Sequence, residues 1–399
     1  MTETSFKITT TDEQLTLLQK KLALTVLPDE LEDSGRDYGA PLADIKRLVA
    51  RWRDGFDWRA QEAAINDELP QFTRDIDVEG HGTLNIHYVH MKSGQAGAIP
   101  LCFIHGWPGS FIEARKLAPL LVGGANGQPS FHVVALSLPG YGFSQQPRKK
   151  GFGLAQYAET AHKLMLALGY TTYVAQGGDW GAMITQTMSR AYGEKHVKAW
   201  HTNMPIGQPD AEEKDLSISS YEPEEQIMIK NAEHWRKQES AYLHIQRTKP
   251  QTLGYGISDS PVGLLAWIHE KLVSWSDNYP WTDDEVLTWV SIYWFSRAGP
   301  TASLRIYYEV FNKGQEDTRP PSKASPIPLG FSIFPGEIMG SPKLWRDRLG
   351  NVVFEEKHEK GGHFAAYEVP ELLAGDLHKM FGKDGPAYGA VEGSDGYSG

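Results

Sequence analysis

The segment "VAQGGDWGAM", residues 174–183, predicts a strand that turns sharply into a helix. Gly177 and Gly181 lie two positions before and after the centre of the turn, and small residues there let the backbone pass close to itself. In a nucleophile elbow, such a turn carries the attacking side chain, usually serine. Here the central residue is Asp179. Aspartate is also a common N-cap of helices, so the turn alone is equally compatible with a nucleophile and with a capping residue.

Apolar runs of strand length alternate with helical patterns on both sides of this turn. The runs that indicate strands lie within 99–110, 131–147, 171–178, 327–337 and 352–364. Continuous apolar strands separated by helices are typical of a mostly parallel sheet that is buried on both faces. We therefore predict an α/β fold with helices on both faces of the sheet.

The pattern along the chain predicts one large α/β domain with an insertion. Thr11 and Gln14 form a candidate capping box at the first helix, and a hairpin pattern at 74–92 starts the sheet. A later stretch is helical and dense in Trp and Tyr, and we expect it to cover the active edge of the sheet. The predicted segments are an N-terminal helical meander (1–75), the first part of the core (76–206), a helical lid (207–315), the second part of the core (316–388) and a disordered Gly- and Ser-rich tail (389–399).

Composition excludes several classes of function. The net charge is −11 and the longest basic block is "RKK" at 148–150, which argues against a nucleic-acid partner. Cys102 is the only cysteine of the sequence, so neither an intramolecular disulfide nor a Cys-rich zinc site can form. The sequence contains no apolar run of about 18 residues and no secretory signal pattern. We expect a cytoplasmic protein without a membrane span.

Two residues after the late strands complete a candidate triad with the elbow. On sheets of this kind a nucleophile, an acid and a histidine follow one another along the chain. Glu337 follows the strand at 327–334, and His363 follows the next strand behind two glycines that let its loop fold back. His358 is a rival, but it lies among charges at a strand end, where a solvated role is expected. Asp347 is expected on a helix surface.

A candidate oxyanion loop, "HGWPG" at 105–109, follows an early strand. The backbone amides of Trp107 and Trp180 are the expected donors, and the Trp107–Pro108 bond is a candidate for the cis form. Any tight turn can use such a sequence, so the motif gains its weight from the elbow and from the ordered Glu and His.

An aspartate nucleophile predicts chemistry at a saturated carbon. A carboxylate is normally ionised at neutral pH, so it attacks without a general base and leaves an ester. His363 is then free to activate water, which attacks the ester carbonyl while Glu337 orients the imidazole. Epoxides and alkyl halides both fit this scheme. An epoxide needs a proton donor for its alkoxide, and Tyr242 and Tyr307 in the helical insertion are candidates, although most tyrosines only pack.

Taken together, these motifs resemble the microsomal-type epoxide hydrolases of the α/β-hydrolase superfamily, from about residue 10 to 385. The likeness rests on "HGWPGS", "GGDWGA", "GGHFAA" and a lid stretch that starts "YLHIQRTKP" at 242. The lid stretch is the most specific of these, because the fold in general does not require it. The resemblance implies an α/β-hydrolase fold that hydrolyses an apolar epoxide with water to a vicinal diol, without cofactor or metal.

Position by position, the resemblance implies Asp179 as nucleophile, His363 as base and Glu337 as its acid partner. It implies Tyr242 and Tyr307 as proton donors, with Tyr308 leaving an ambiguity of one residue. Animal members often begin with a membrane anchor that this chain lacks, so a soluble microbial-type enzyme is expected. Fungal relatives imply a homodimer.

Two other functions stay open at the level of sequence. A haloalkane dehalogenase shares the elbow and fold, but such enzymes typically have Asn at the position of Trp107 and lack the pair of lid tyrosines. The second alternative is a binding protein that has a hydrolase fold but no catalytic activity. The retention of every role in one chain argues against it.

Overall fold

A central sheet of nine strands carries the fold in the computed structural model, which describes residues 3–124, 127–210, 217–312 and 324–397. Its order is β1-β2-β3-β5-β4-β6-β7-β8-β9. The first four strands in this order pair antiparallel and the rest pair parallel. The strands are β1 (Thr4–Phe6), β2 (Gln71–Val78), β3 (Gly82–Met91), β4 (Ile99–Ile104), β5 (Phe131–Leu136), β6 (Tyr173–Gly177), β7 (Val197–Thr202), β8 (Ser325–Ile333) and β9 (Gly350–Lys357). The predicted α/β class with a mostly parallel sheet is confirmed.

The helices fall into three groups along the chain. Three precede the sheet proper: α1 (Asp12–Ala23), α2 (Leu42–Asp54) and α3 (Trp58–Glu68). Those that connect or flank the strands are α4 (Ala114–Val122), α5 (Leu154–Ala167), α6 (Trp180–Tyr192), α13 (Lys343–Arg346), α14 (Ala365–Glu368) and α15 (Pro370–Phe381). Between β7 and β8 lie α7 (Pro223–His234), a π-helical turn (Trp235–Glu239), α8 (Ala241–Thr248), α9 (Pro250–Asp259), α10 (Pro261–Ser274), α11 (Asp283–Trp294) and α12 (Arg305–Asn312). No helix in the described ranges combines the length and the apolar character that a membrane span requires.

The central strands end at one edge of the sheet, and this edge positions the site. Ile104 at the end of β4 pairs with Gly177 at the end of β6, which in turn pairs with Thr202 at the end of β7. Every residue of β4 and β6 is buried, as expected for strands covered on both faces. The loops that follow these strands therefore meet in one place.

Helices 223–312, here called the lid, cover this carboxyl edge. Trp289 Nε1 donates to Pro108 O at 2.5 Å, and the Tyr293 hydroxyl donates to Gly109 O at 2.6 Å. These two bonds fasten α11 to the loop after β4. The predicted lid boundary between 315 and 316 lies outside the described residues.

The N-terminal helices pack against the lid from outside. The predicted capping box is present: Gln14 N donates to Thr11 Oγ1 at 3.2 Å, and Thr11 N donates to Gln14 Oε1 at 2.9 Å. Arg51 of α2 forms a two-pronged ion pair with Asp284 of α11, at 2.8 and 2.9 Å. The N-terminal helices therefore stabilise the position of α11, which is hydrogen-bonded to the loop after β4.

Two terminal segments differ from the sequence-based expectation. Thr4–Phe6 forms β1 and pairs with β2. The sequence did not predict this strand, because three residues are too few to show a strand period. The tail, predicted to be disordered, is packed as far as residue 397. Gly396 N donates to Gly97 O, and Ser130 N donates to Gly396 O, both at 2.7 Å. The prediction was wrong because backbone hydrogen bonds, which composition does not reveal, hold this segment to the starts of β4 and β5; residues 398–399 lie outside the described part.

Candidate active site

Asp179 lies at the tip of the turn between β6 and α6, with φ 50° and ψ −127°. A non-glycine residue with positive φ is uncommon and costs about 1–3 kcal/mol. The turn is tight: a Cβ atom at Gly177 would lie 2.6 Å from the carbonyl carbon of Gly181, and one at Gly181 would overlap Ile104 O. The Asp179 side chain makes no capping hydrogen bond to α6. Of the two roles open from sequence, capping is therefore excluded for this carboxylate.

The loop after β4 supplies a donor to this carboxylate. Trp107 N donates to Asp179 Oδ1 at 2.8 Å. The Trp107–Pro108 peptide bond, a candidate for the cis form in the sequence, is cis. A Cβ atom at Gly106 would overlap the Asp179 carboxylate, so the loop approaches the nucleophile closely. Trp180 follows as the first residue of α6, and the amide at this position has no acceptor within a helix. Both expected donors thus lie next to Asp179, and the bond is formed by Trp107.

His363 connects Asp179 to Glu337. Its Nδ1 lies 2.8 Å from Glu337 Oε1, and its Nε2 lies 3.5 Å from Asp179 Oδ2. The histidine side chain is only 3% exposed. The two loops that carry His363 and Glu337 are joined, because Gly336 N donates to Gly361 O at 3.0 Å. The glycines before the histidine, singled out in the sequence, are part of this junction.

The charges around His363 set its proton affinity. Burial alone lowers its pKa, but the carboxylates of Glu337 and Asp179 act in the opposite direction and raise it well above the usual 6.5. The two carboxylates therefore favour the protonated imidazole between them. Neutralising either carboxylate lowers this pKa.

The lid places two tyrosines over the nucleophile. Tyr242 stacks on Trp107, with ring centroids 5.2 Å apart, and Tyr307 meets the Trp180 ring edge-on at 4.8 Å. Their own rings are 6.0 Å apart. Burial raises the pKa of both phenols well above its usual value, and the Asp179 carboxylate adds to this effect, so both hydroxyls keep their protons.

The adjacent tyrosines of "YYE", Tyr307 and Tyr308, differ in burial. Tyr307 is 2% exposed and faces the site, whereas Tyr308 is 39% exposed. A 3₁₀ turn at Pro300–Leu304 precedes α12. Tyr307, and not Tyr308, is thus the tyrosine that joins Tyr242.

Comparison with known proteins agrees with this geometry. The family profile described as "Epoxide hydrolase N terminus" matches residues 3–114, and the one described as "alpha/beta hydrolase fold" matches residues 99–241. "Epoxide hydrolase 1" of Sus scrofa is 35% identical over an alignment of 415 positions, gaps included, that covers 94% of this chain and 88% of the relative. The chain belongs to the epoxide hydrolase family.

Solved structures of other epoxide hydrolases share the fold. The enzyme of Aspergillus niger superposes with a TM-score of 0.82 at 33% identity, over 94% of this chain and 95% of the other. The juvenile hormone epoxide hydrolase of Bombyx mori gives 0.86 at 28% identity, over 94% and 93%. The α/β-hydrolase fold and the assignment of the chain as a hydrolase are therefore established.

The rival histidine lies elsewhere. His358 Nε2 is 2.6 Å from Asp376 Oδ2, and its ring stacks on Phe334 with centroids 4.8 Å apart. Its side chain is only 9% exposed, so the expectation of a solvated role was wrong: the flanking charges point outward while α15 covers the ring. Asp347 is exposed and paired with Lys343 at 2.8 Å, in agreement with its expected surface position.

One acidic residue at the site was missed in the sequence. Glu113 ends a 3₁₀ turn (Phe111–Glu113), is buried, and lines a narrow cavity with Asp179 and His363. Burial raises the pKa of its carboxyl to about 8, with a further increase from Asp179 that is opposed by His363. An acidic residue just before a helix is common for electrostatic reasons, so the sequence offered no signal that this one faces the nucleophile.

Proposed function

We propose that this chain hydrolyses epoxides to vicinal diols through a covalent ester on Asp179. The observation that carries the proposal is the convergence on one carboxylate of a backbone amide, a buried His–Glu pair and two buried phenols. The amide, from Trp107, holds Oδ1. The oxygen nearer His363, Oδ2, is left to attack.

In the first half-reaction the hydroxyls of Tyr242 and Tyr307 bind the epoxide oxygen. Asp179 Oδ2 attacks a ring carbon, the C–O bond breaks, and its electron pair moves to the oxygen, which takes a proton from one tyrosine. Loss of the Asp179 charge lowers the pKa of His363, whose Nε2 proton then returns to the tyrosinate. The result is a neutral imidazole, a neutral tyrosine and a hydroxyalkyl ester.

In the second half-reaction His363 takes one proton from water, and the hydroxide forms a bond to the ester carbonyl carbon. The negative charge develops on Oδ1, where the Trp107 amide already donates and where the Trp180 amide is the expected second donor. The C–O bond to the alkyl group breaks, and the remaining proton of the water passes to the diol. His363 is again a cation and Asp179 again a carboxylate.

The proposal also covers the role of the lid, the kind of epoxide, the cellular location and the oligomeric state. Residues 207–315 act as the lid that supplies the tyrosines, and the aromatic rings around them favour an apolar substituent on the epoxide. Cytoplasmic location and homodimer formation remain predictions of the sequence.

A single turnover in ¹⁸O-labelled water tests the mechanism. With enzyme in excess over styrene oxide, the diol should carry unlabelled oxygen and the label should appear in the peptide that contains Asp179. His363→Gln should form the ester and stop there, so that intact-mass analysis shows the protein plus one substrate. Label directly in the diol, or full turnover by His363→Gln, would overturn the ester mechanism.

A parallel incubation with a bromoalkane distinguishes the alternatives. Bromide release without diol formation from any epoxide would support the dehalogenase. Failure of both substrates would support the binding protein.

A further inference from the structure

We propose that the Glu113 carboxyl group holds the hydrolytic water against His363 and the ester of Asp179. This inference rests on the proposed function, since it assigns a residue to the second half-reaction.

The cavity that carries this proposal lies between the nucleophile and α4. It is lined by Phe103, Gly106, Trp107, Gly109, Glu113, Gly178, Asp179, Asn203, His363, Phe364 and Ala366. Its volume of about 10 Å³ is close to the roughly 10–15 Å³ that one water molecule needs. Neither lid tyrosine is among the described residues that line it, so this space lies apart from the expected position of the epoxide.

A water molecule that attacks a carbonyl must direct a lone pair at the carbon. Both of its protons are then best held by acceptors, and a buried water normally has two to four polar partners. His363 Nε2 accepts one proton. Apart from His363, the lining side chains that carry a hydrogen-bond acceptor are Glu113, Asn203 and Asp179, since the Trp107 indole only donates. Asp179 is the electrophile at this step.

Asn203 is poorly suited to accept the second proton. Its Oδ1 already accepts from Gln176 Nε2 at 2.9 Å, which leaves the Nδ2 group, a donor. Glu113 is held at the cavity wall: the Ser110 amide donates to its carboxyl, and one of its oxygens lies so close to Gly109 that a Cβ atom there would overlap it. The other carboxyl oxygen is therefore the acceptor available to the water.

The charges beside Glu113 act on its proton affinity in opposite directions. Burial raises the pKa of its carboxyl and the Asp179 charge adds to this increase, while His363 lowers it. Tyr293 of α11 also interacts with this carboxyl. In the proposed mechanism ester formation neutralises Asp179 and His363 together, so the two changes oppose each other. The assignment of Glu113 therefore rests on its position at the cavity wall, where its carboxyl offers an acceptor oxygen in either charge state.

Glu113→Gln is the decisive variant, because it keeps the shape of the side chain. The amide oxygen should accept from Ser110, and the NH₂ group then faces the cavity as a donor in place of an acceptor. We expect ester hydrolysis to slow by at least about tenfold, with the ester accumulating in intact-mass spectra after mixing with styrene oxide. Ester formation, followed by the tryptophan fluorescence change, should alter by less than about twofold.

Glu62→Gln is the matched control, since Glu62 is another buried glutamate, which accepts from Thr10 N at 2.6 Å in the N-terminal segment. It should leave both rates unchanged even if it lowers the melting temperature. Glu113→Leu, which removes the acceptor without adding a donor, should slow ester hydrolysis as well. Unchanged ester hydrolysis in folded Glu113→Gln, or equal slowing of both steps, would overturn the inference.

The parent protein separates this inference from the proposed function. If the parent forms neither ester nor diol, the proposed function itself fails. If the parent passes through the ester and Glu113→Gln hydrolyses it at the parental rate, only the role of Glu113 fails.

Discussion

Replacing Tyr307 by phenylalanine removes one of the two buried lid hydroxyls that interact electrostatically with Asp179 and leaves the ring in place. The ring packs against Trp180 and Trp107, with centroid distances of 4.8 and 6.0 Å, so the fold should tolerate the change. Tyr308→Phe is a matched control, because it removes the same group from the adjacent, exposed residue. The pair tests whether position in the site, and not tyrosine content, determines the rate of ring opening.

The expected magnitude follows from the bond that is lost. A hydrogen bond to a group that gains charge is worth about 1.5–3 kcal/mol, and each 1.36 kcal/mol is a factor of ten in rate. Tyr307→Phe should therefore slow ester formation by roughly 10- to 150-fold, because Tyr242 still donates. Tyr308→Phe, an exposed substitution, should change it by less than about twofold. The double variant of Tyr242 and Tyr307 should lose more than either single variant.

Stopped-flow tryptophan fluorescence is the suitable assay. Trp107 and Trp180 flank the nucleophile, so alkylation of Asp179 should change their emission. The pH should be held constant, and the amplitude should be checked against the ester measured by mass spectrometry. Equal slowing by Tyr307→Phe and Tyr308→Phe, or no slowing by Tyr307→Phe, would refute the assignment of the second donor.

Two further predictions concern charge and packing. Asp179→Asn, a neutral mimic of the ester, should lower the pKa of His363 toward its usual value, measured from ring proton shifts by NMR; an unchanged pKa would contradict the coupling. Since the folded-state pKa of His363 is raised, its contribution to stability should be complete below about pH 6.5 and be lost as the pH rises through the raised value, in the parent but less so in Asp179→Asn. Gly396→Ala should lower the free energy of unfolding by about 1–3 kcal/mol, because φ is +91° and a Cβ atom would overlap Pro129; denaturant melts that match the parent would show that the tail contributes little.

The sequence predicted those parts of the site that depend on order along the chain. Asp179, Glu337 and His363 follow the ends of β6, β8 and β9, and parallel strands bring their carboxyl ends together. The sequence did not predict which side chains of a helix face the site, because this depends on the rotation of the helix about its axis. Tyr307 and Tyr308 differ by one residue, or about 100° around a helix with 3.6 residues per turn, and only the packing of α12 shows that Tyr307 is the buried one.

Other features depend on contacts with distant parts of the chain. Asp179 makes no capping hydrogen bond to α6, and its carboxylate accepts instead from the backbone amide of Trp107, 72 residues earlier. A solvated position was expected for His358 because of its charged neighbours, but Asp376 of α15 pairs with it. Glu113 resembles any acidic residue at a helix start until the cavity beside it is seen. In each case the local pattern was compatible with two environments, and tertiary packing selected one.

The charge on Asp179 links the two half-reactions. It raises the pKa of His363, which favours the imidazolium cation in the resting site. The imidazole is then not free to take a proton from water. Formation of the ester removes the charge on Asp179, and the pKa of His363 falls because the carboxylate no longer favours the protonated form. The base therefore becomes competent only after the nucleophile has been alkylated. A site built in this way disfavours activation of water before ring opening, when hydroxide could attack the epoxide directly.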